Sequence, residues 1–319
     1  MLAETARRRL PPCLVLTGPT AAGKTGIALE LARRFDVHLI SADSVQVYRG
    51  MNVGTAKPDA ATLREFPHQL IDIRDPEQAY TAADFVRDAE REIARAQEMQ
   101  RLPVIVGGTT MYLRALRYGL DPMPPADPAT RDQISREADK RGWPAMHDQL
   151  AGLDPLAAGQ IQPTDAQRIQ RALEMIRLTG RPASSFHRGR GADRMSGSRM
   201  IVMAPAERAR LHRAINQRWG QMLEQGLLAE TEALLRRPGL AVESSALRAV
   251  GYRQAAEHLK GRLSLDALHK KGAAATRQLA KRQITALRQW GGAFWYDPLN
   301  RTAINRIIHS VGWFFNGNG

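Results

Sequence analysis

Cysteine is nearly absent, with Cys13 the single cysteine among 319 residues. Neither a disulfide framework nor a cysteine-based zinc site can be assembled from one thiol, which suits a reducing cytosol and a cytoplasmic protein. Long apolar runs are missing as well. No stretch approaches the ~20 residues that span a bilayer, so no membrane partner is expected. The N-terminal segment MLAETARRRL carries charge but no apolar h-region, and no signal peptide is read there. Acidic residues are scarce beside basic ones, 32 against 46, leaving a net charge of +14. Such a balance fits nucleic acid, an anionic surface, or simply a solvated arginine-rich chain. No internal repeat is visible. The apolar and charged fractions, 43% and 24%, are those of an ordinary globular protein. The length allows one large domain or two smaller ones.

What is present starts with Gly18-Pro19-Thr20-Ala21-Ala22-Gly23-Lys24-Thr25. It fits G-x-x-x-x-G-K-[ST], the loop that by motif alone binds a nucleotide such as ATP. The apolar run Cys13-Leu14-Val15-Leu16 precedes it, and a helical pattern with Ile27, Leu29, Leu31 and Ala32 follows. Glycines let backbone N–H groups converge on phosphate, and the helix N-terminus adds its positive dipole end. Lys24 supplies a point charge and Thr25 a hydroxyl for Mg²⁺.

Beyond the loop, strand-like and helix-like segments alternate. Val37–Ser41 is a short apolar strand ending at Asp43, and Leu70–Ile73 is a weaker strand candidate. Thr81 and Asp84 have capping-box form and open a helix reaching about Gln100. Pro103–Val106 then runs into Gly107, Gly108 and Thr109. Apolar strands alternating with helices imply an α/β fold, a parallel sheet flanked by helices. Ligands bind such sheets beyond the C-terminal strand ends, which places Gly18, Asp43 and Thr109 at one rim.

The texture changes at Pro122, Pro124, Pro125 and Pro128, after which helical segments follow without clear strands. A helix over 165–178 has Ile169, Leu173 and Ile176 as its inward stripe and leaves Arg168, Arg171 and Arg177 largely outward. Residues 184–199 read as a flexible basic linker, and Met200–Met203 as a strand rejoining the sheet. The expected organisation is therefore a catalytic core begun in 1–121, a helical insertion domain over 122–195, and a core resumed in 196–319 with a basic helical region.

That last region is charged with one sign. From Arg248 to Trp290 the basic residues are 248, 253, 260, 262, 270, 271, 277, 281, 282 and 288, opposed only by Glu257 and Asp266. Arg277, Lys281 and Arg288 share a helical arc, with Ala280, Ile284 and Leu287 on the neighbouring face. A solvated face normally mixes signs, so this one favours a polyanion.

Asp43 beside a phosphate loop could hold Mg²⁺ or act as a general base. Thr109 can present a hydroxyl to phosphate, and Arg218 taken alone is a surface helix residue. The segments GPTAAGKT, LISADSVQVYRGMNVGTAKP, HQLIDIRDP, YTAADF, VGGTTMYLRAL, DAQRIQRALE, AVGYRQ and TRQLAKRQITALR occur in this order. Together, over residues 12–297, they resemble the bacterial tRNA dimethylallyltransferase family. The stretch 298–319 matches nothing in it; Trp313 and the neighbouring phenylalanines there could cap the core or stay mobile.

The resemblance implies a P-loop NTPase-like, kinase-related fold with a helical insertion domain. It implies transfer of a dimethylallyl group from dimethylallyl diphosphate to N6 of adenosine 37 in the tRNA anticodon stem-loop, by a monomer using Mg²⁺. Asp43 would be the general base, and Thr109 and Arg218 would act on the leaving diphosphate. Gly18, Pro19, Thr20, Ala21, Ala22, Gly23, Lys24 and Thr25 would grip it, Thr25 also meeting the metal. tRNA would meet Asp43, Ser44, Val45, Gln46, Thr109 and Arg131, then Gln167, Arg168, Ile169, Gln170 and Arg171. It would also meet Arg248, Ala249, Val250, Gly251, Tyr252 and Arg253, and Thr276, Arg277, Gln278, Leu279, Ala280, Lys281, Arg282 and Gln283. Thr110 stands where relatives often have Gly or Met, so either threonine hydroxyl could face the diphosphate. The zinc finger of eukaryotic relatives cannot be built with one cysteine. Three other readings stay open: a P-loop nucleotide or small-molecule kinase, a prenyltransferase acting on free nucleotides, and a non-enzymatic RNA-binding protein.

Overall fold

A computed structural model describes residues 9–186, 191–241, 244–298 and 300–316. Six parallel strands form one sheet in the order β3-β2-β4-β1-β5-β6. They are β1 (Leu14–Thr17), β2 (Val37–Ser41), β3 (His68–Gln69), β4 (Leu102–Gly107), β5 (Arg199–Met203) and β6 (Phe294–Tyr296). β1 is central, paired to β4 and β5, with Thr17 opposite Gly107 and Val202. Its residues alternate between two buried layers. Val15 joins Ile40, Ile105 and Val202 on one face, whereas Leu14 and Leu16 join Leu39, Val104 and Ile201 on the other. Strands covered on both faces have no polar side to show, which is why they read as unbroken apolar runs.

Helix α1 (Lys24–Arg34) follows β1 and packs Ile27 and Leu31 on the second face. A short α2 (Ala60–Glu65) leads to β3, and α3 (Ala82–Glu98) carries the reciprocal Thr81–Asp84 cap and packs Phe85 and Ile93 on the first face. α4 (Thr110–Tyr118) follows β4, and its Tyr112 ring stacks on Phe85 at 4.5 Å between centroids. Leu70–Ile73 is not a strand. Leu70 and Asp72 adopt left-handed φ of 65° and 54°, which breaks the pleat, and Asp72 takes the Lys57 ammonium at 2.6 Å.

The described chain divides into two compact units, one of residues 118–192 and one of residues 9–117 with 193–316. The smaller unit thus begins at Tyr118 rather than Pro122 and ends at Ala192 rather than 195. It holds α5 (Pro128–Arg141), α6 (Trp143–Leu153), α7 (Pro155–Ala158) and α8 (Ala166–Thr179), closed by Gly180 at φ 67°. Ile134, Met146, Leu150, Ile169 and Leu173 form its core. Glu174 lies in this core at 0% exposure and accepts from Arg131, Arg171 and the Asp127 N–H. Arg171 and Arg177 are therefore not simply outward: the first neutralises Glu174 and the second pairs with Glu137.

The expected linker over 184–199 is largely ordered. Ala183–Phe186 is a turn of 3-10 helix, Arg194 is 4% exposed with its guanidinium on Glu90, and Asp193 holds Arg117. Residues 187–190 of that stretch lie outside the described residues. After β5 come α9 (Arg208–Glu224), α10 (Leu227–Leu235), α11 (Tyr252–Leu259) and α12 (Leu265–Arg288). The unassigned C-terminal stretch forms α13 (Arg301–Asn316), which buries Ile307 and Val311 in the second layer beside Ile27 and Leu31. The side chains of Trp313, Phe314 and Phe315 lie outside the described residues.

Candidate active site

The C-terminal ends of β1, β2 and β4 bring the three expected segments together. Gly18 has φ of 147°, and a Cβ there would run into the Met203 carbonyl of neighbouring β5, so only glycine starts this loop. Ala21 and Gly23 are left-handed at φ 62° and 74°, turning the chain into α1. Among the described residues, no hydrogen bond uses the N–H groups of Gly23, Lys24, Thr25 or Gly26. They are the orphan donors of a helix start, available to an anion.

Lys24 Nζ donates to the carbonyls of Gly18 at 3.0 Å and Pro19 at 2.8 Å. Burial pushes its pKa down to about 8; Asp43 counters the shift and Arg218 adds to it. Lys24, Asp43 and Arg218 thus feel one another across a shared space.

Asp43 Oδ1 accepts the N–H groups of Val45 at 2.9 Å and Gln46 at 3.2 Å. This Asx turn fixes the carboxylate at the tip of β2. The Thr109 hydroxyl oxygen accepts the Ser44 N–H at 3.0 Å and donates to the Ser44 hydroxyl at 3.3 Å. Its polar atom is therefore used to steady the Asp43 turn, while Gly107 and Gly108 form the wall of the cavity beside it. Thr110 is the first residue of α4.

That cavity, of about 440 Å³, is lined by Thr20–Thr25, Asp43 and Arg218 and also by the apolar Ile215, Trp219, Met222, Val250 and Leu279. Arg218 of α9 reaches the Thr55 carbonyl with Nη2 at 3.4 Å. Its Nε and the Trp219 Nε1 are buried donors without a partner, an arrangement that costs free energy until an acceptor arrives. Burial lowers the Arg218 pKa and Asp43 opposes the shift. The result is a pocket that combines cationic, donor-rich lining with apolar side chains.

A second set of residues, not evident from the sequence, shapes the wall. Glu230 of α10 accepts three consecutive backbone donors, Asn52 N–H at 2.8 Å, Val53 N–H at 2.9 Å and Gly54 N–H at 3.0 Å. It also takes the Tyr252 hydroxyl at 2.6 Å. Lys57, whose side chain is 2% exposed, donates to Tyr48, Asn52 and Asp72. Together they hold the loop whose Gly54, Thr55 and Ala56 line the cavity. The only sequence signal for Glu230 was an acid within the apolar run of α10.

The remaining sequence-expected residues are distributed differently from their segments. Lys281, Arg282, Arg248 and Arg253 are exposed, while Gly251 and Tyr252 are buried. Ile169 and Ala280 are buried too, at 0% and 1% exposure. Tyr252, Ile169 and Ala280 turn their side chains into packed apolar clusters, and Gly251 starts α11. Thr276, Leu279 and Val250 line the cavity, and Gln283 reaches the phosphate loop. Arg131 and the Gln167–Arg171 segment lie in the smaller unit, where Gln170 bonds Arg131 and Ser135. For a cation, no cluster of three His, Cys, Asp or Glu exists among the described residues. Thr20, Thr25 and the carboxylate of Asp43 are among the side-chain oxygens that line the cavity.

A phosphate loop on a parallel sheet, beside an acid, a buried arginine and apolar side chains, is the arrangement of a P-loop-fold transferase. Residues 46–290 match the family model described as IPP transferase, and the chain belongs to that family of prenyltransferases. It is 50% identical to a tRNA dimethylallyltransferase of Thiobacillus denitrificans over 91% of this chain and 93% of that one. It is 48% identical to tRNA dimethylallyltransferase 2 of Hahella chejuensis over 90% and 91%. Its fold is similar to the crystal structure of the full-length tRNA isopentenylpyrophosphate transferase from Bacillus halodurans. The TM-score is 0.67 at 34% identity, with 96% of each chain covered.

Proposed function

We propose that this chain is a tRNA dimethylallyltransferase. It moves the dimethylallyl group of dimethylallyl diphosphate onto N6 of adenosine 37 in the anticodon loop and releases diphosphate. The observation that carries this reading is one cavity lined both by the phosphate loop with Lys24 and Arg218 and by the apolar Trp219, Met222 and Leu279. A prenyl diphosphate has a part suited to each kind of lining.

The diphosphate lies on the free N–H groups of Gly23–Gly26, with Lys24 and Arg218 offsetting the charge that grows as the allylic C–O bond breaks. Donors poised at the developing negative charge favour the transition state over the ground state. Asp43, held by two backbone donors on Oδ1, keeps Oδ2 for the N6 proton as the new C–N bond forms. Thr109 acts through Ser44 by fixing that turn. The apolar wall shields the allylic cation character from water.

Mg²⁺ fits this donor set. The ion takes oxygen ligands, commonly one or two from protein and the rest from phosphate and water. Thr25 would hold it, and when bound it supplies further charge neutralisation for the leaving group.

The acceptor base comes from a single-stranded loop, where unstacking costs least. Arg248, Arg253, Arg277, Gln278, Lys281 and Arg282 meet the tRNA backbone in this reading, with Arg131 and Gln167–Arg171 contributing from the smaller unit. No described helix is long and apolar enough to cross a membrane, and the enzyme is proposed to work as a cytoplasmic monomer.

The test offers labelled dimethylallyl diphosphate and Mg²⁺ to unmodified tRNA, with AMP as acceptor and γ-labelled ATP as donor in parallel. Label in tRNA alone is the expected outcome. Label in AMP instead removes the tRNA assignment, and phosphate transfer from ATP without prenylation removes the reaction.

A further inference from the structure

Gln283 stands on α12 between the exposed Arg282 and the partly buried Ile284, and both ends of its amide are used far from that helix. Oε1 accepts the Thr20 N–H of the phosphate loop at 2.9 Å, and Nε2 donates to the Gly108 carbonyl at 2.8 Å. The contact is possible because residue 108 is glycine, since a Cβ there would collide with Nε2 of Gln283. One neutral side chain thus bridges the ends of β1 and β4. It takes up the Thr20 donor and leaves the N–H groups of Gly23–Gly26 for an anion. A second link runs beside it, where Ala21 of the loop packs with Ala280 and Ile284 of α12 and with Leu211 and Ile215 of α9.

We propose that Gln283 is a positioning residue that fixes the phosphate loop from the basic helix, so that a polyanion docked on α12 tightens the diphosphate site. The inference rests on the function proposed above. α12 is continuous over its 24 residues, so Lys281 and Arg282, which face solvent, and Gln283, which faces the loop, move together. By reciprocity, diphosphate must tighten tRNA by the same factor. Gln283 acts here through the protein rather than as a tRNA contact.

The experiment measures the Kd of inorganic pyrophosphate with Mg²⁺, with and without unmodified tRNA, and the Kd of tRNA alone. It compares wild type, Gln283→Ala, Gln283→Met (which keeps the length but cannot bridge) and the double change Lys281→Ala/Arg282→Ala. Wild type is expected to bind pyrophosphate severalfold tighter when tRNA is present. In both Gln283 variants pyrophosphate should weaken about tenfold, the scale of one lost neutral hydrogen bond, and the tRNA effect should vanish. Their tRNA affinity alone should stay within twofold. The double variant should do the reverse, losing tRNA affinity while binding pyrophosphate alone normally. Gln283 variants with unchanged pyrophosphate affinity and coupling overturn the proposal, as does a tenfold loss of tRNA affinity alone. Wild type binding both ligands without coupling overturns it while sparing the functional reading. Wild type binding neither ligand overturns both.

Discussion

Replacing Asp43 by asparagine separates its two tasks. Oδ1 holds the Val45 and Gln46 N–H groups at 2.9 and 3.2 Å. An asparagine oxygen accepts the same two bonds, so the turn and the Thr109–Ser44 contact behind it persist. What disappears is the ability to accept a proton. Loss of a general base costs about 10²–10⁴ in rate, or about 3–5 kcal/mol of barrier. The carboxylate also supports the charged form of Lys24. The variant should therefore hold Lys24 protonated over a narrower pH range, while removing a negative charge beside the diphosphate. Pyrophosphate affinity below pH 7 should stay equal or improve slightly, and tRNA affinity should hold within twofold. Asp43→Ala should lose the same rate and in addition about 1–2 kcal/mol of stability, because two donors lose their acceptor. Single-turnover transfer of labelled dimethylallyl reads the chemical step, and calorimetry reads the two affinities. An Asp43→Asn rate within tenfold of wild type, or a loss confined to KM, would refute the assignment of Asp43 as base.

Three further outcomes follow from the same geometry. In the empty site Lys24 loses its proton near pH 8 rather than near 10.5. Pyrophosphate affinity should therefore be flat below that pH and fall above it with proton uptake, by at most about tenfold per pH unit. Calorimetry in buffers of different ionisation enthalpy detects the uptake, and a flat affinity from pH 7 to 10 would show that Lys24 does not meet the ligand. The burial cost of charged Lys24 is present below pH 8 and relieved as pH rises toward 10.5, so Lys24→Met should gain most stability relative to wild type on the acidic side. Glu230→Gln leaves an amide NH₂ facing backbone donors at Asn52–Gly54; it should cost about 1–3 kcal/mol in urea unfolding and raise the KM for dimethylallyl diphosphate. An unchanged KM would mean the loop keeps its place without the carboxylate. Glu174→Ala strips the part-exposed Arg131 and Arg171 and the Asp127 N–H of their acceptor and should cost about 1–3 kcal/mol. Burial works to raise the Glu174 pKa, but Arg131 and Arg171 hold it below the usual carboxylate value. Its stabilisation is therefore complete above that usual value and lost as pH falls through the depressed one. A variant whose stability difference from wild type ignores pH between 2 and 6 would contradict this.

The sequence by itself determined the features written in neighbouring residues. The Gly18–Thr25 loop between a strand and a helix is one, since its chemistry needs eight consecutive positions and a known context. The Thr81–Asp84 cap, the apolar strands and the Gly180 helix end are others, because capping and two-sided burial act over a few residues. Asp43 was legible from its place after a strand beside a phosphate loop, and the excess of lysine and arginine after Arg248 from simple counting.

Only the tertiary structure decided which distant groups meet. Gln283 lies 263 residues from Thr20, and Glu230 lies 178 from Asn52, separations at which no periodicity or spacing carries information. Arg171 looked outward by helical phase, yet its long side chain folds back onto Glu174, because a buried carboxylate draws every guanidinium within reach. Thr109 was legible from its place after two glycines at a strand end, whereas its bonds to the Ser44 N–H and hydroxyl came only with the fold. The composition of the cavity wall was hidden for the same reason. Trp219 and Met222 of α9, Val250 of the turn before α11 and Leu279 of α12 lie far apart in sequence, and only the folded chain brings them to one cavity with the phosphate loop.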